Sequence, residues 1–550
     1  MIRDARKIAS GSTLECDVCV VGAGAAGIAL TLELKQAGVD VILLEAGGVN
    51  GSGKSLSLYR GECVDRERHL PLDSARYRQL GGTTRLWGGR CIPFDGIDFE
   101  QRSYIPHSGW PFGRSELDPY YAAASSYCEC GEYSYRVAEA LADPSADMIP
   151  GFIDSDLVTD TIERWSPPTN FGKRYRQILE EAETVQVLLN AACTEIELDE
   201  KGESVTRLAV NTFARSQFHI RPRRTVLAGG GLEVVRLLLA SNKILKTGIG
   251  NHSDWLGRGY MCHFGGVAAR VRFSADRNVI FGYELDRQET YCRRRLWISE
   301  QAQRREELLN IYMLLDRPLL GDPEHGSGLL SLAFLAKKLF NSSLQQKTPG
   351  GKYGLYWRHF KNILTGSPEI LMVLPKWSRA RFLQGRRIPS LLMGSKENSY
   401  YIYYHAEQSP NRDSRVTLSE ERDCFGVPRL KVDYRVSDKD IDSVYRAHQL
   451  LDRELRRQEC GELTFVADDP RSLIRDHKAT LGHHIGTTRM AGDAGQGVVD
   501  QDCKVHGIAN LYIASSSIFP TSSQANPTLT IVAMAIRLAK HLDTTKGGVK

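Results

Sequence analysis

Two short stretches near the end of the chain hold the side chains best suited to acid–base work. Residues 482–490 read GHHIGTTRM, and residues 509–531 read ANLYIASSSIFPTSSQANPTLTI. Histidine has its ordinary pKa near neutrality, so His483 or His484 can take and return a proton at working pH. The second stretch reads as a strand (NLYIA), a loop, and then a helix that opens at Asn526-Pro527. Asn is a favoured N-cap, and Pro is favoured at the first helical position. TLTIVAMAIRLAKHL continues as an apolar helix with Arg and Lys late, as the macrodipole prefers. The buried start of such a helix stabilises negative charge that develops beside it.

These residues need a scaffold and a redox partner, and the other end of the chain indicates both. Residues 17–24 read DVCVVGAG, an apolar run suited to a buried strand, and the run ends in Gly22-Ala23-Gly24-Ala25-Ala26-Gly27. A helical stretch follows and stops at Gly38, and a second strand, VDVILLE, ends at Glu45. This is a complete strand–turn–helix–strand–acid unit for a dinucleotide. Gly22 permits the tight turn, Gly24 lets backbone approach a pyrophosphate, and Gly27 lets the helix pack close to the strand. The helix N-terminus favours phosphate charge, and Glu45 is placed to hold a ribose hydroxyl. Negative charge on the redox ring, stabilised by a helix start, is a need of reduced flavin and not of nicotinamide.

Composition limits the alternatives. With 550 residues the chain can bury a large core and is expected to divide into two domains. A charged fraction of 25% and a hydrophobic fraction of 42% are those of an ordinary globular protein, and a net charge of +5 gives no reason to expect nucleic acid. The first 15 residues lack an apolar signal core and a twin arginine, and no run approaches 18 apolar residues, so a cytoplasmic location is expected. The 12 cysteines are scattered. Cys16 and Cys19 form a C-x-x-C, but Cys19 falls inside the first strand and no second ligand pair follows. Reduced thiols and no metal are therefore expected.

The expected fold is α/β: a Rossmann-like FAD-binding domain with a discontinuous, sheet-based (α+β) substrate domain. The FAD-binding domain is assigned to 14–100, 165–265 and 470–546. The substrate domain is assigned to 266–469 with a basic helical insert at 318–397, and 101–164 forms a connecting or lid segment. The inserted part is suggested by alternating runs such as VAARVRF and SYYIYYHAEQ, which suit antiparallel sheet. Ser414–Leu418 and Val427–Tyr434 read as a hairpin, and 436–457 as a helix.

Several motifs in order, GAGAAG…LLEAGG, LGGTTRLWGG, SGWPF…LDPYY, VLAGGGLEVVRLLLAS, LGRGYMCH, HHIGTTRM and NLYIASSSIFPT…ANPTLTI, resemble the glucose-methanol-choline (GMC) oxidoreductases. These are FAD-dependent alcohol oxidases and dehydrogenases, and the likeness is nearest to members that oxidise sugars and polyols. The resemblance implies oxidation of an alcohol, with a sugar, glycoside or polyol hydroxyl as the expected substrate, to a carbonyl. The electron acceptor is left open among oxygen, a quinone or a carrier. The alternatives are an FAD-containing lyase without redox turnover and an inactive flavoprotein subunit.

The resemblance also assigns roles. The catalytic histidine stands three residues before the glycine of a Gly-Thr pair, which here selects His483 over His484. The second catalytic position, just before the Pro that opens the last helix, is Asn526. Alcohol oxidation needs a base for the hydroxyl proton and an acceptor, flavin N5, for the hydride. Asn526 can donate to the developing alkoxide, cap its helix, or do both. Cofactor contacts are expected from Gly22, Gly24, Ala25, Ala26, Gly27, Glu45 and Ala46, and from Gly81, Gly82, Thr83, Thr84, Trp87 and Gly88. Further contacts are expected from Cys193, Ala228, Gly229, Ser515, Asn526, Pro527 and Thr528. Two positions depart from the family pattern. Leu86 stands where several sugar-oxidising relatives carry the histidine that bonds FAD covalently, so FAD is expected to be non-covalent. Ser515 stands where many members have an aspartate.

Residues 331–390 carry six Lys and five Arg against one acid, Glu369, interleaved with LAFLAKKLF, YGLYWRHFKNIL and ILMVLPKW. Such a segment suits either a set of solvated helices or peripheral contact with a membrane surface or an acidic partner.

Overall fold

The computed structural model of the chain describes residues 1–144, 146–316, 320–340, 351–393, 397–479 and 482–544. Residues 341–350 of the basic insert and the last two residues of the expected 470–546 segment lie outside the described residues. Among the described residues, two eight-stranded sheets organise the fold, with a small three-stranded sheet beside them.

The first sheet grows from the N-terminal strand Thr13–Val21, whose apolar run buries Val18, Cys19 and Val20 completely. Val41–Glu45 and Gln217–Leu227 flank it in parallel, with Val185–Leu189 and Ile2–Asp4 beyond the former. Leu511–Ile513 pairs in parallel with the end of Gln217–Leu227. The register sets Val21 opposite both Leu44 and Leu227. Because the strands run the same way, their carboxyl ends open at one edge, which is where parallel α/β sheets bind ligands. The helix Ala25–Gln36 follows the first strand, and Gly38 adopts φ +69, the left-handed geometry expected of the residue that stops it.

The second sheet is antiparallel, as the alternating runs require. Its order is Gly461–Phe465, Phe264–Phe273, Ser399–Ala406, Ile311–Asp316, Tyr291–Ile298, Leu157–Trp165 and Arg90–Cys91, with Tyr283–Leu285 on Tyr291–Ile298. The amphipathic helix Asp438–Arg457 covers one face, burying Val444, Leu451 and Leu455. Two elements lie elsewhere than their sequence position suggests. Leu157–Trp165, within the segment read as connecting, is an interior strand of this sheet. The hairpin Arg415–Arg422 and Pro428–Asp433 pairs with Gly61–Cys63 instead of joining it. Its apolar residues Val416, Leu430 and Val432 are buried in the core of the first sheet, and alternation alone does not say which core a hairpin will cover.

Candidate active site

A cavity of about 570 Å³ runs from the first glycine turn to His483 and Asn526. The carboxyl ends of three parallel strands build one end of it. Gly22 has φ +113, and a side chain there would strike the Ala228 carbonyl. A side chain at Gly27 would lie 1.9 Å from the Gly22 carbonyl oxygen, so helix and strand touch only because it is glycine. At Gly24 a Cβ would meet nothing within 4 Å, and the helix it precedes has no side-chain cap. That leaves uncapped backbone N–H groups facing open cavity, as a pyrophosphate requires. Glu45 accepts hydrogen bonds from the Ala23 and Gly47 N–H groups at 3.2 and 2.8 Å. Burial pushes its carboxyl up to about 7 against those bonds and the charge of Arg78.

The loop around Gly81 lies over this turn. The Gly81 N–H donates to the Ala23 carbonyl at 2.8 Å, and the Cα of Gly24 lies 3.1 Å from where a Gly82 side chain would stand. Trp87 is fixed by its indole N–H on the Thr169 carbonyl at 2.9 Å, and Leu86 is 48% exposed at the cavity. The structure brings the expected cofactor residues together along this cavity, except Gly27 and Gly81, which pack behind it. Ser515 lines the wall while its hydroxyl accepts the Ser517 N–H, and Cys193 presents a thiol that burial pushes up to about 12. The set fits FAD: an open glycine turn, an uncapped helix start and a buried carboxylate at one end, and acid–base groups at the other.

Backbone pairing places the histidines. Met261 and Ile485 exchange both hydrogen bonds at 2.9 Å, an antiparallel bridge. Two residues along on each side, His263 must face His483. Their Nδ1 atoms are 2.9 Å apart. The Nε2 of His263 lies 2.9 Å from the carbonyl of Ser522, itself held to Gln408 through its hydroxyl. His405, on the second sheet, stacks on His263 at 4.4 Å and places its Nδ1 2.7 Å from the Gln524 carbonyl.

On the cavity side, the amide nitrogen of Asn526 lies 3.2 Å from His483 Nε2. The Asn526 amide oxygen accepts from Arg90 Nη1 at 2.6 Å. The amide is thus engaged across the cavity and not on the end of the helix Thr528–Thr544 that follows. Arg90 forms an ion pair with the buried Glu163 and lies 3.8 Å over the ring of Tyr312. Burial, reinforced by the Arg90 charge, holds His483 down to about 3, so its ring is neutral. His484 points elsewhere: its ring stacks on Tyr260 and its carbonyl accepts from Ser516.

Four neighbours of His483 were not anticipated from the sequence. Arg90 directly follows Gly88-Gly89 in a loop otherwise poor in side chains, which is a readable signal for a charge aimed at a ligand. His263 closes the motif LGRGYMCH, but only the 261–485 bridge shows what it faces. His405 and Glu163 sit at inward positions of strands and carry no local mark. His263, His405 and His483 also form, among the described residues, a group with metal-ligand spacing.

Comparison with known proteins fits this geometry. Residues 17–305 match the family described as FAD dependent oxidoreductase, and residues 410–535 match GMC oxidoreductase. The 6'''-hydroxyparomomycin C oxidase of Streptomyces lividus is 24% identical over 96% of the chain and 92% of its own length. The fructose dehydrogenase large subunit of Gluconobacter japonicus is 21% identical over 96% of the chain and 98% of its own length. A fungal aryl-alcohol oxidase shares the fold, with a TM-score of 0.54 at 14% identity, over 96% of this chain and 99% of that one.

The buried histidines make acid the weak side of the fold. Desolvation lowers His483 to about 3 and His448 to about 4, and places His263, His405 and His484 well below their ordinary value. Below about pH 6.5 the unfolded chain binds protons that the native state refuses, so native stability falls as pH drops. Each such group contributes a slope of up to ~1.4 kcal/mol per pH unit until its folded pKa is reached. Melting temperatures should be level between pH 7 and 8 and fall steeply from pH 6.5 to 5. A level profile down to pH 5 would contradict this reading.

Proposed function

Because the chain belongs to the FAD-dependent oxidoreductases and carries a C-terminal part of the GMC oxidoreductase type, we propose that it oxidises a hydroxyl of a sugar, glycoside or polyol to a carbonyl. The observation that carries the roles is the pairing of His483 Nε2 with Asn526 at 3.2 Å on the cavity wall. His483, neutral, takes the hydroxyl proton. Asn526, with Arg90 behind it, donates to the developing alkoxide and holds the carbon in place. Bound FAD supplies the two-electron acceptor for the hydride that leaves the same carbon. Relatives named for an aminoglycoside and for fructose support a carbohydrate substrate. An anaerobic panel of sugars, glycosides and aliphatic alcohols should bleach the bound flavin with at least one carbohydrate. His483→Ala should slow that bleaching by roughly 10²–10⁴-fold with FAD retained, and His484→Ala should slow it less. A greater loss with His484→Ala would reassign the base, and the absence of bleaching by any alcohol would favour the lyase or inactive alternatives.

FAD is held without a covalent bond in this reading, because Leu86 offers no nucleophile at the position where the family resemblance puts a histidine in several sugar-oxidising members. Acid precipitation should release the yellow colour into the supernatant, and colour kept in the pellet would refute it.

A second observation favours contact with a membrane surface. Among the described residues no helix is long and apolar enough to cross a bilayer. The helices Gly328–Phe340, Gly351–Thr365 and Ser367–Ser378 bury Leu330, Phe334 and Leu355. They and the turn after them leave Trp357, Leu371, Met372, Phe382 and Leu383 exposed, Leu383 at 81%. Lys361, Lys376, Arg379 and Arg387 lie exposed among these apolar groups. Apolar residues set among cations match an anionic lipid surface, where each cation contributes about 1 kcal/mol. The protein should sediment with anionic vesicles at low salt and be released at high salt. Trp357→Ser with Leu371→Ser should weaken binding at low salt. No binding at low salt would leave the insert without this role.

A further inference from the structure

Hydrogen-bond direction around the base is set from a backbone carbonyl. The Ser522 carbonyl can only accept, so His263 carries its proton on Nε2. Burial keeps His263 neutral, which leaves a lone pair on its Nδ1. His483 Nδ1, 2.9 Å away, must then donate its hydrogen to that lone pair. A neutral His483 with its proton on Nδ1 has its free lone pair on Nε2, the atom beside Asn526. From the other side, Arg90 has only donors to offer, which fixes the Asn526 amide with oxygen toward Arg90 and NH₂ toward His483. Both ends therefore impose the same state on His483: Nδ1 protonated, Nε2 ready to accept.

We propose that His263 is a positioning residue that locks His483 in the tautomer whose Nε2 can take the substrate's hydroxyl proton. The proposal rests on His483 being the base. When Nε2 takes the proton, the Nδ1–H bond to neutral His263 stabilises the imidazolium despite Arg90, because His263 offers a lone pair and no charge. The free tautomer preference of an imidazole favours the proton on Nε2, so without His263 the open nitrogen would face the substrate as a donor. The three imidazoles have metal-ligand spacing. A hydrogen bond is favoured over a shared ion because two ligands at ~2.0–2.1 Å from a tetrahedral metal sit farther apart than 2.9 Å, and Arg90 repels a cation.

The test compares His263→Gln with His263→Leu in the FAD-loaded enzyme, using a carbohydrate that bleaches the wild type. Glutamine keeps one acceptor and one donor at a spacing near that of the imidazole, and leucine keeps only bulk. His263→Leu should lower the anaerobic flavin reduction rate by roughly 10²–10⁴-fold, the scale of loss when a catalytic histidine is held in the wrong tautomer, while KM changes little. His263→Gln should recover most of that loss, to within about tenfold of wild type on the same scale. Equal losses in the two variants would reduce His263 to packing. If His263→Leu does not fold, ¹⁵N-histidine spectra of the wild type decide. The His483 signals, identified by their loss in His483→Gln, should show the Nδ1–H form at pH 7, and the Nε2–H form would overturn the proposal. One equivalent of a transition metal, retained by the holoenzyme and required for reduction, would also overturn it. Full activity of His483→Ala would instead refute the assignment of the base, whatever the His263 variants do.

Discussion

A guanidinium charge buried beside His483 is the constraint on which the site depends. Arg90 cannot be deprotonated in a protein, and its side chain is only 11% exposed. Its burial is offset by the fully buried Glu163, by the face of Tyr312 and by the amide oxygen of Asn526. Three neighbouring histidines respond to it. His483, His263 and His405 are all pushed toward neutrality first by burial and then by charges that include Arg90. The same positive charge favours an alkoxide on the substrate. In the proposed reaction the site therefore lowers the cost of removing the hydroxyl proton and keeps His483 free to receive it.

Two sheets must meet for this to happen. The parallel sheet supplies the glycine turn, Glu45 and, through the strand Leu511–Ile513, the approach to Asn526. The antiparallel sheet supplies Arg90, Glu163, Tyr312 and His405. Their junction is made by a short backbone bridge of Met261 with Ile485, and by the Ser522 hydroxyl, which accepts from the Gln408 N–H and donates to the Gln408 carbonyl. Residues 436 positions apart, Arg90 and Asn526, are hydrogen-bonded as a result. A change in either sheet that rotates its edge would separate the charge from the amide without touching any group that contacts substrate.

The parts legible in the sequence were those with a local cause. The glycine turn, its helix, the stop at Gly38 and the acid at Glu45 each follow from a rule about neighbouring residues, and the structure places them as read. The alternating runs gave antiparallel strands for the same reason. The unread parts have non-local causes. Nothing in YMCH says that His263 will face His483, because that depends on the register of a bridge spanning more than 200 residues. The pairing of Leu157–Trp165 in the second sheet, and the burial of the 415–433 hairpin against the first, are likewise decided by which partner strand is near. For Asn526 the local rule and the tertiary setting compete: a helix-capping residue by position, it is drawn to Arg90 and His483 by a stronger, charge-assisted bond.

The order of donors and acceptors narrows the chemistry further. From Arg90 inward every hydrogen bond points one way until His483 Nε2, and from Ser522 outward every donor is likewise accounted for up to the same atom. A site meant only to bind a hydroxyl could accept either tautomer, since an imidazole N–H binds the alcohol oxygen as well as a lone pair binds its hydrogen. In the proposed reaction the donor role toward the substrate oxygen falls to Asn526, and the acceptor role to His483. On that proposal an alcohol placed between them is held by its oxygen and relieved of its proton at once, which is the arrangement that hydride loss from the adjoining carbon requires. The two sides of that division come from different sheets, and the buried charge of Arg90 keeps them from exchanging roles.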